Sequence, residues 1–376
     1  SAKLPIIGNT QDPLDDATKV NNYLSWYLAG TNPTWLEDLN LATPAQNVNS
    51  QCIGTSLATF MNTVVSGTTN LRNIRLTSPA FNLTNPAEQD IFIAMSQAGA
   101  NFADIDAFAG NTYTLNGVAA YDWVISPSFR GADGKTWKEK FTSFNKGIIF
   151  TEFGDFATFD NPPGSPNRAS VISAMRQEFT NTAGDGVVKS INYFNAFGGN
   201  PQFIGHQLSI SELQVITSSN YSKSGVNSAQ GVNRDFPPRV GSAGLKWSVE
   251  IITSPGDETG AIESINAAHR AGVIPIIRPC YGNSCGFADP VVYVDFISRV
   301  SQRVTDQSRE IWFIAGPNEP AGEHWAAPLC GTAGQPVASI DSFLTYAGPI
   351  RKLLPQYSLD TIRYVLATNQ GRNVHN

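Results

Sequence analysis

Short apolar runs bounded by Gly, Pro or polar residues recur from about residue 70 onward: Ile74 to Phe81, Phe102 to Phe108, Ile148 to Phe153, Val188 to Phe197, Leu245 to Ile252, Val273 to Cys280, Ile311 to Ala315 and Ile362 to Ala367. Runs this short, without polar alternation, read as strands buried on both faces, as in a parallel sheet or barrel. Between them, Gln89 to Ala98, Ala169 to Phe179, Ala261 to Ala271, Val291 to Thr305 and Ile340 to Leu354 carry apolar residues at helical spacing. Alternating strands and helices predict a parallel sheet with helical crossovers. About eight strands in roughly 300 residues fit a (β/α)8 barrel of the α/β class better than an open sheet.

Two stretches break this rhythm. Residues 1–50 join a helix-like segment, Val20 to Leu28, bearing Tyr23, Trp26 and Tyr27, to a loop-like stretch, Thr31 to Ser50, rich in Asn, Thr and Pro. They read as an N-terminal extension that packs on the barrel or lines a cleft, with the barrel itself spanning 51–376. The Ser-, Asn- and Gly-rich segment 218–233 has no periodic apolar pattern and reads as a linker.

Composition narrows the class. The chain has 376 residues, of which 41% are hydrophobic, ample for a core. Only 15% are charged, while Gly, Pro, Asn, Ser and Thr are plentiful, which leans toward a secreted or cell-surface protein. The opening Ser1-Ala2-Lys3, without Met, is what a removed leader would leave. A net charge of -6 and the lack of a basic run argue against a nucleic-acid partner. No run of about 18 apolar residues predicts a transmembrane segment. Oligomeric state is not legible at this level.

The four cysteines are Cys52, Cys280, Cys285 and Cys330. The spacing of Cys280 and Cys285 suits a small disulfide loop, which would leave Cys52 for Cys330; four cysteines allow three connectivities, and four reduced thiols are the alternative. No His stands at ligand spacing from them, so a zinc site is not expected. Asn82-Leu83-Thr84 and Asn220-Tyr221-Ser222 are glycosylation sequons of a kind that arises often by chance.

The candidate chemistry lies at the ends of two apolar runs. Glu152 closes Ile148-Ile149-Phe150-Thr151, and Glu319 follows Ile311-Trp312-Phe313-Ile314-Ala315-Gly316-Pro317-Asn318. A charged residue at the C-terminal end of a barrel strand is where such barrels place their chemistry. Two of them suggest a carboxylate pair, which glycosidic bond cleavage needs.

The Asn318-Glu319-Pro320 motif resembles the acid/base motif on the fourth strand of the large clan of retaining glycoside hydrolases built on (β/α)8 barrels. Thr151-Glu152-Phe153-Gly154 resembles that clan's nucleophile motif on the seventh strand. Leu245 to Glu250, Val273 to Ile277 and the Asn318-Glu319 strand, with helices between, read like strands two, three and four of such a barrel. The resemblance covers roughly residues 70–370. It implies Glu152 as nucleophile, Glu319 as acid/base and Asn318 on the sugar's 2-hydroxyl, with a carbohydrate substrate and no cofactor. For the two roles to separate, Glu319 must hold its proton near neutral pH while Glu152 stays ionised. Tyr113 would steady the nucleophile. Arg278 would supply positive charge or a structural salt bridge. Trp325, His324 and Asn195 are candidate sugar contacts, although a Trp is more often plain core.

In the clan the acid/base residue precedes the nucleophile, whereas here Glu152 comes first. A circular permutation would account for this, with the chain opening near the clan's fifth strand and crossing 218–233 between the eighth and the first. The count resists: four predicted steps separate Ile311 from Ile148, against three in the clan. Either Ile362 to Ala367 or Ile74 to Phe81 must then lie outside the barrel, and a missing strand must lie between Gln202 and Val240.

Two other classes compete. Gly282-Asn283-Ser284-Cys285-Gly286 matches the nucleophile elbow of serine hydrolases, with His375 later in the chain, but the next helix starts only near Asp289. A catalytically inactive carbohydrate-binding or cell-surface structural protein of hydrolase descent is the third reading. The four histidines, His206, His269, His324 and His375, are scattered and read as surface or structural. Asp104 and Asp106 flank Ile105 and would share one strand face, as a polar barrel layer, a substrate contact or a metal contact.

Overall fold

Eight parallel strands close into one ring. The computed structural model describes residues 42–198, 206–280 and 287–321. The strands are β1 (Ile74–Asn82), β2 (Ala107–Thr114), β3 (Gly147–Asp155), β4 (Val188–Phe194), β5 (Ser224–Gly231), β6 (Trp247–Ile252), β7 (Ile274–Pro279) and β8 (Ile311–Ile314). Each pairs in parallel with the next, and β8 closes on β1 through Ile74 to Thr77 against Ile311 to Ile314. Around them lie α1 (Ala42–Thr68), α2 (Pro86–Gln97), α3 (Trp137–Thr142), α4 (Arg168–Gly184), α5 (Ile210–Thr217), α6 (Phe236–Ser242), α7 (Glu258–Ala271) and α8 (Pro290–Arg303). This is the (β/α)8 barrel that the alternating pattern predicts.

The inward side chains Ala80, Ala107, Ala109, Ile149, Trp247, Val249, Ile276, Trp312 and Ile314 form one buried cluster that fills the ring. It is a packed plug rather than a pore. The outward faces meet the helices in a larger core, where Phe92 stacks on Phe102 and Phe108 on Phe141, with ring centroids 4.9 and 4.3 Å apart.

Helix α1 completes the outer layer. It packs against both α2 and α8, in the gap between the helix after β1 and the helix after β7. Gly54 and Gly67 allow this approach: a Cβ on Gly54 would stand 2.5 Å from Ala94 Cβ, and one on Gly67 2.6 Å from Val294 Cγ1. The predicted boundary between residues 50 and 51 falls inside this helix, so it marks no structural break. Val20 to Leu28 lies outside the described residues.

Three other expectations are corrected. The segment 218–233 is no linker, because it contains β5, the strand missing between Gln202 and Val240. Its residues are small or polar because the space is tight: a Cβ on Gly225 would lie 2.1 Å from Asn192 Oδ1 and 2.6 Å from the Trp247 carbonyl. The second strand begins at Ala107 rather than Phe102, whose ring is taken up by Phe92 and Phe108. Asp104 and Asp106 therefore precede β2 and form no polar barrel layer. Asp106 Oδ2 accepts the Leu76 N–H at 2.9 Å, and Asp104 Oδ2 accepts from Asn101 Nδ2 at 2.6 Å. Direct pairing of β8 with β1 also settles the strand count. Ile74 to Phe81 belongs to the ring, and Ile362 to Ala367 lies outside the described residues.

The turn out of β8 depends on one glycine. A Cβ on Gly316 would lie 2.6 Å from Pro79 Cγ and 3.0 Å from its Cβ. Gly316→Ala should lower stability by about 1–3 kcal/mol through overpacking, read from urea unfolding at constant m. A loss under about 0.5 kcal/mol would mean that Pro79 moves aside freely.

Candidate active site

Above the apolar plug the strand ends turn polar. Asn82 ends β1, Asn111 and Tyr113 lie late in β2, Glu152 lies in β3, Arg278 lies in β7, and Asn318 with Glu319 follows β8. All stand toward the C-terminal face of the barrel, where catalytic groups collect in this fold.

Local backbone irregularities aim the two glutamates. On β3 the partner of Gly110 is Phe150 but that of Asn111 is Glu152, so Thr151 is one extra residue. Such a bulge re-aims side chains. It turns both Thr151 and Glu152 into the ring, while Phe150 and Phe153 pack outward. On the other side, Pro317 O accepts the Ala80 N–H at 3.2 Å and the Glu319 N–H donates to Ala80 O at 2.7 Å. This ties the chain after β8 to β1. Glu319 then sits at φ 39°, a left-handed conformation that costs a non-glycine residue of order 1–3 kcal/mol. Strain of this kind persists only where the surroundings over-determine it.

The side chains form one network. Arg278, fully buried, donates from Nη1 to Glu152 Oε1 and, at 2.8 Å, to Asn318 Oδ1. Tyr113 donates its hydroxyl to Glu152 Oε2. Asn111 Nδ2 donates to Asn318 Oδ1 at 2.9 Å and to Glu319 Oε1 at 2.8 Å. Asn82 Nδ2 reaches Glu319 Oε2 at 3.2 Å. The Asn82 amide oxygen in turn accepts from the N–H and hydroxyl of Thr84, so the first sequon is committed to the site rather than free for a glycan.

The electrostatics mark out Glu319. Burial, and then the charge of Glu152, push Glu319 up to about 7, against opposing contributions from Asn111, Arg278 and Asn82. Burial followed by the charges of Glu152 and Glu319 raises the Tyr113 hydroxyl well above its ordinary value, so it stays a donor. Glu250 is also pushed up to about 7 by burial, but it faces away from the ring, accepting from Ser264 Oγ at 2.6 Å and from the Asn233 N–H at 2.8 Å. A raised carboxyl alone does not make a site.

Of the residues singled out from sequence, the barrel brings Glu152, Asn318, Tyr113 and Arg278 together in this network, and Glu319 joins it through Asn111. Asn195 follows β4, buried and at φ 48°, with its N–H on the Asn227 carbonyl at 2.9 Å. Trp325, His324, Ser284 and His375 lie outside the described residues. So do Cys285 and Cys330, the expected partners of the buried Cys280 and Cys52.

Sequence reasoning gave no role to Asn82, Asn111 or Thr151, and read His206 as surface or structural, of which the structure shows the second. An amide at the C-terminal end of an apolar run, as in Phe81-Asn82 and Gly110-Asn111, was the available signal. His206 packs beside Tyr113, Phe156 and Phe194, with ring centroids 6.1, 5.4 and 5.7 Å away. Burial pushes it down to about 4, so the imidazole is neutral at neutral pH. No sequence signal points to that placement.

Among the described residues, no group of three or more His, Cys, Asp or Glu is placed to hold a metal, and no helix is long and apolar enough to cross a membrane. Compared with family models, curated proteins and solved structures, the chain gives no match. The functional reading therefore rests on geometry and chemistry.

Proposed function

We propose that this protein is a retaining glycoside hydrolase that cleaves an oligosaccharide or polysaccharide with Glu152 as nucleophile and Glu319 as acid/base. One observation carries the reading: two carboxyls from the ends of β3 and β8 share a hydrogen-bonded network, yet stand in opposite environments. Glu152 is held by a buried guanidinium and a tyrosine hydroxyl, whereas Glu319 is held by amides and raised to about 7. A raised carboxyl facing a second one held by a cation and a hydroxyl suits a division into acid and nucleophile. In the first step the Glu152 carboxylate attacks the anomeric carbon as Glu319 gives its proton to the departing oxygen. In the second, Glu319 takes a proton from the water that releases the sugar.

The ring order supports kinship with the clan named above. From β8 through β1 and β2 to β3 is three steps, the separation expected from acid/base to nucleophile. A closed ring of parallel strands keeps sequential order wherever the chain is opened, so topology holds no record of a permutation. Helix α1 is consistent with one, since it fills the outer layer between β8 and β1 from the N-terminal side. The permuted barrel would then open just before that helix.

Incubation with a panel of neutral and charged glycans, reading new reducing ends and the anomeric configuration of the first product by NMR, tests the proposal. Product with retained configuration supports it. An inverted product would fit carboxyls standing farther apart than about 5–5.5 Å and would remove Glu152 as nucleophile. Binding without product would favour an inactive lectin-like descendant.

A further inference from the structure

The side chain of Asn111 touches more of the site than any role considered so far requires. It is fully buried, and its amide has a definite orientation because Arg278 donates to Asn318 Oδ1 and so fixes that atom as an acceptor. Nδ2 donates to two acceptors, Asn318 Oδ1 at 2.9 Å and Glu319 Oε1 at 2.8 Å. Oδ1 accepts from Thr151 Oγ1 at 2.7 Å. A flipped amide would set an oxygen against two acceptor oxygens, so only one orientation satisfies the set.

Thr151 is the bulged residue that turns Glu152 into the ring, and Glu152 is its covalent neighbour. One path between the carboxyls therefore runs Glu152, Thr151, Asn111, Glu319. A second runs Glu152, Arg278, Asn318, Asn111, Glu319. Both pass through the Asn111 amide.

We propose that Asn111 is a positioning residue that couples the two glutamates: braced by Thr151, it fixes the direction of the Glu319 carboxyl and stabilises its charged form between the two steps of a turnover. This rests on the hydrolase reading for its meaning in catalysis, but not for its measurement. Aspartate cannot fill the position, because it donates to neither acceptor, and alanine takes one hydrogen bond from each acceptor and one from the Thr151 hydroxyl. The charged and titratable groups facing Glu319 are Glu152 from β3, Arg278 from β7 and Tyr113 from β2. The substitution leaves all three in place.

The test is a carbon-13 NMR titration of protein labelled at glutamate carboxyls, with the Glu319 signal identified by its absence in Glu319→Gln. The wild-type midpoint should lie near 7. In Asn111→Ala it should rise by about one pH unit, the size of one lost hydrogen bond to a charged group. Thr151→Val, which keeps the shape but removes the brace, should move it the same way by less. If hydrolysis is detected, the alkaline limb of the kcat profile should move with the titration. A folded Asn111→Ala with an unmoved midpoint overturns the proposal, and if that variant does not fold, an unmoved midpoint in Thr151→Val does so. Absence of hydrolysis on every glycan would remove the enzymatic reading and leave the titration result standing.

Discussion

Replacing Glu152 by alanine should reduce glycoside hydrolysis by at least about a thousandfold, the scale on which loss of a covalent nucleophile is felt. The reason is local. The carboxylate is fixed on both oxygens, by Tyr113 and Arg278, and is nearly inaccessible. Its removal also leaves Arg278, fully buried, without the anion it pairs with. Breaking a buried pair in this way costs about 3–5 kcal/mol, so the variant should unfold at a lower temperature as well. The two effects can be separated. Azide or formate fits the space left by the side chain and restores a negative charge beside Arg278. Either should recover part of the stability, and azide should give a glycosyl azide of inverted configuration at the anomeric carbon. A folded variant that keeps more than a tenth of wild-type activity would sink Glu152 as the nucleophile.

Much of this site was legible because it stands at the ends of apolar runs. Ile148 to Phe150 and Ile311 to Ile314 are buried strands by composition alone, and the glutamates that follow them are too costly to place there without a use. Arg278 was legible for the same reason, after Ile274 to Ile277. The fold was harder to read where side chains are small. Strand β5, Ser-Gly-Val-Asn-Ser-Ala-Gln-Gly, has almost no hydrophobic signal, because Trp247 and Asn192 already fill the space beside it. Its Asn227 instead bonds across the ring to Thr151 O at 2.9 Å, a contact invisible to periodicity. Helix α1 was legible and went unread. Ile53, Leu57, Met61 and Val64 recur at helical spacing and are all buried, but the Ser-, Thr- and Asn-rich residues between them resemble a loop. The amides Asn82 and Asn111 stand at the ends of apolar runs, but that signal is weak, and their shared role shows only once the ring brings β1, β2 and β8 together.

Glu319→Gln should give a protein more stable than the wild type at pH 8 and no more stable at pH 4. The carboxyl is raised from 4.5 to about 7 by folding. A group raised in this way favours the folded state fully below its unfolded value, and that contribution is lost as pH rises toward the folded value. Here the window is pH 4.5 to about 7, and its full height is about 3 kcal/mol at 1.36 kcal/mol per pH unit. The neutral glutamine escapes that loss. It keeps an oxygen for Asn111 but presents N–H groups toward Asn82, which offsets part of the gain. Glu250, raised over the same range, tilts both stability curves alike and cancels in the difference. Chemical denaturation of both proteins across pH 4 to 9 reads the effect without any substrate; a difference that does not grow with pH would mean that Glu319 is not the raised group. In the proposed mechanism the same proton sets the rate. Wild-type kcat should fall above about pH 7 as Glu319 loses it. In the glutamine variant that limb should vanish, with a loss of about 10²–10⁴-fold on a glycan whose leaving oxygen needs protonation. A substrate with an acidic phenol as leaving group should lose far less in the first step, because it departs without that proton.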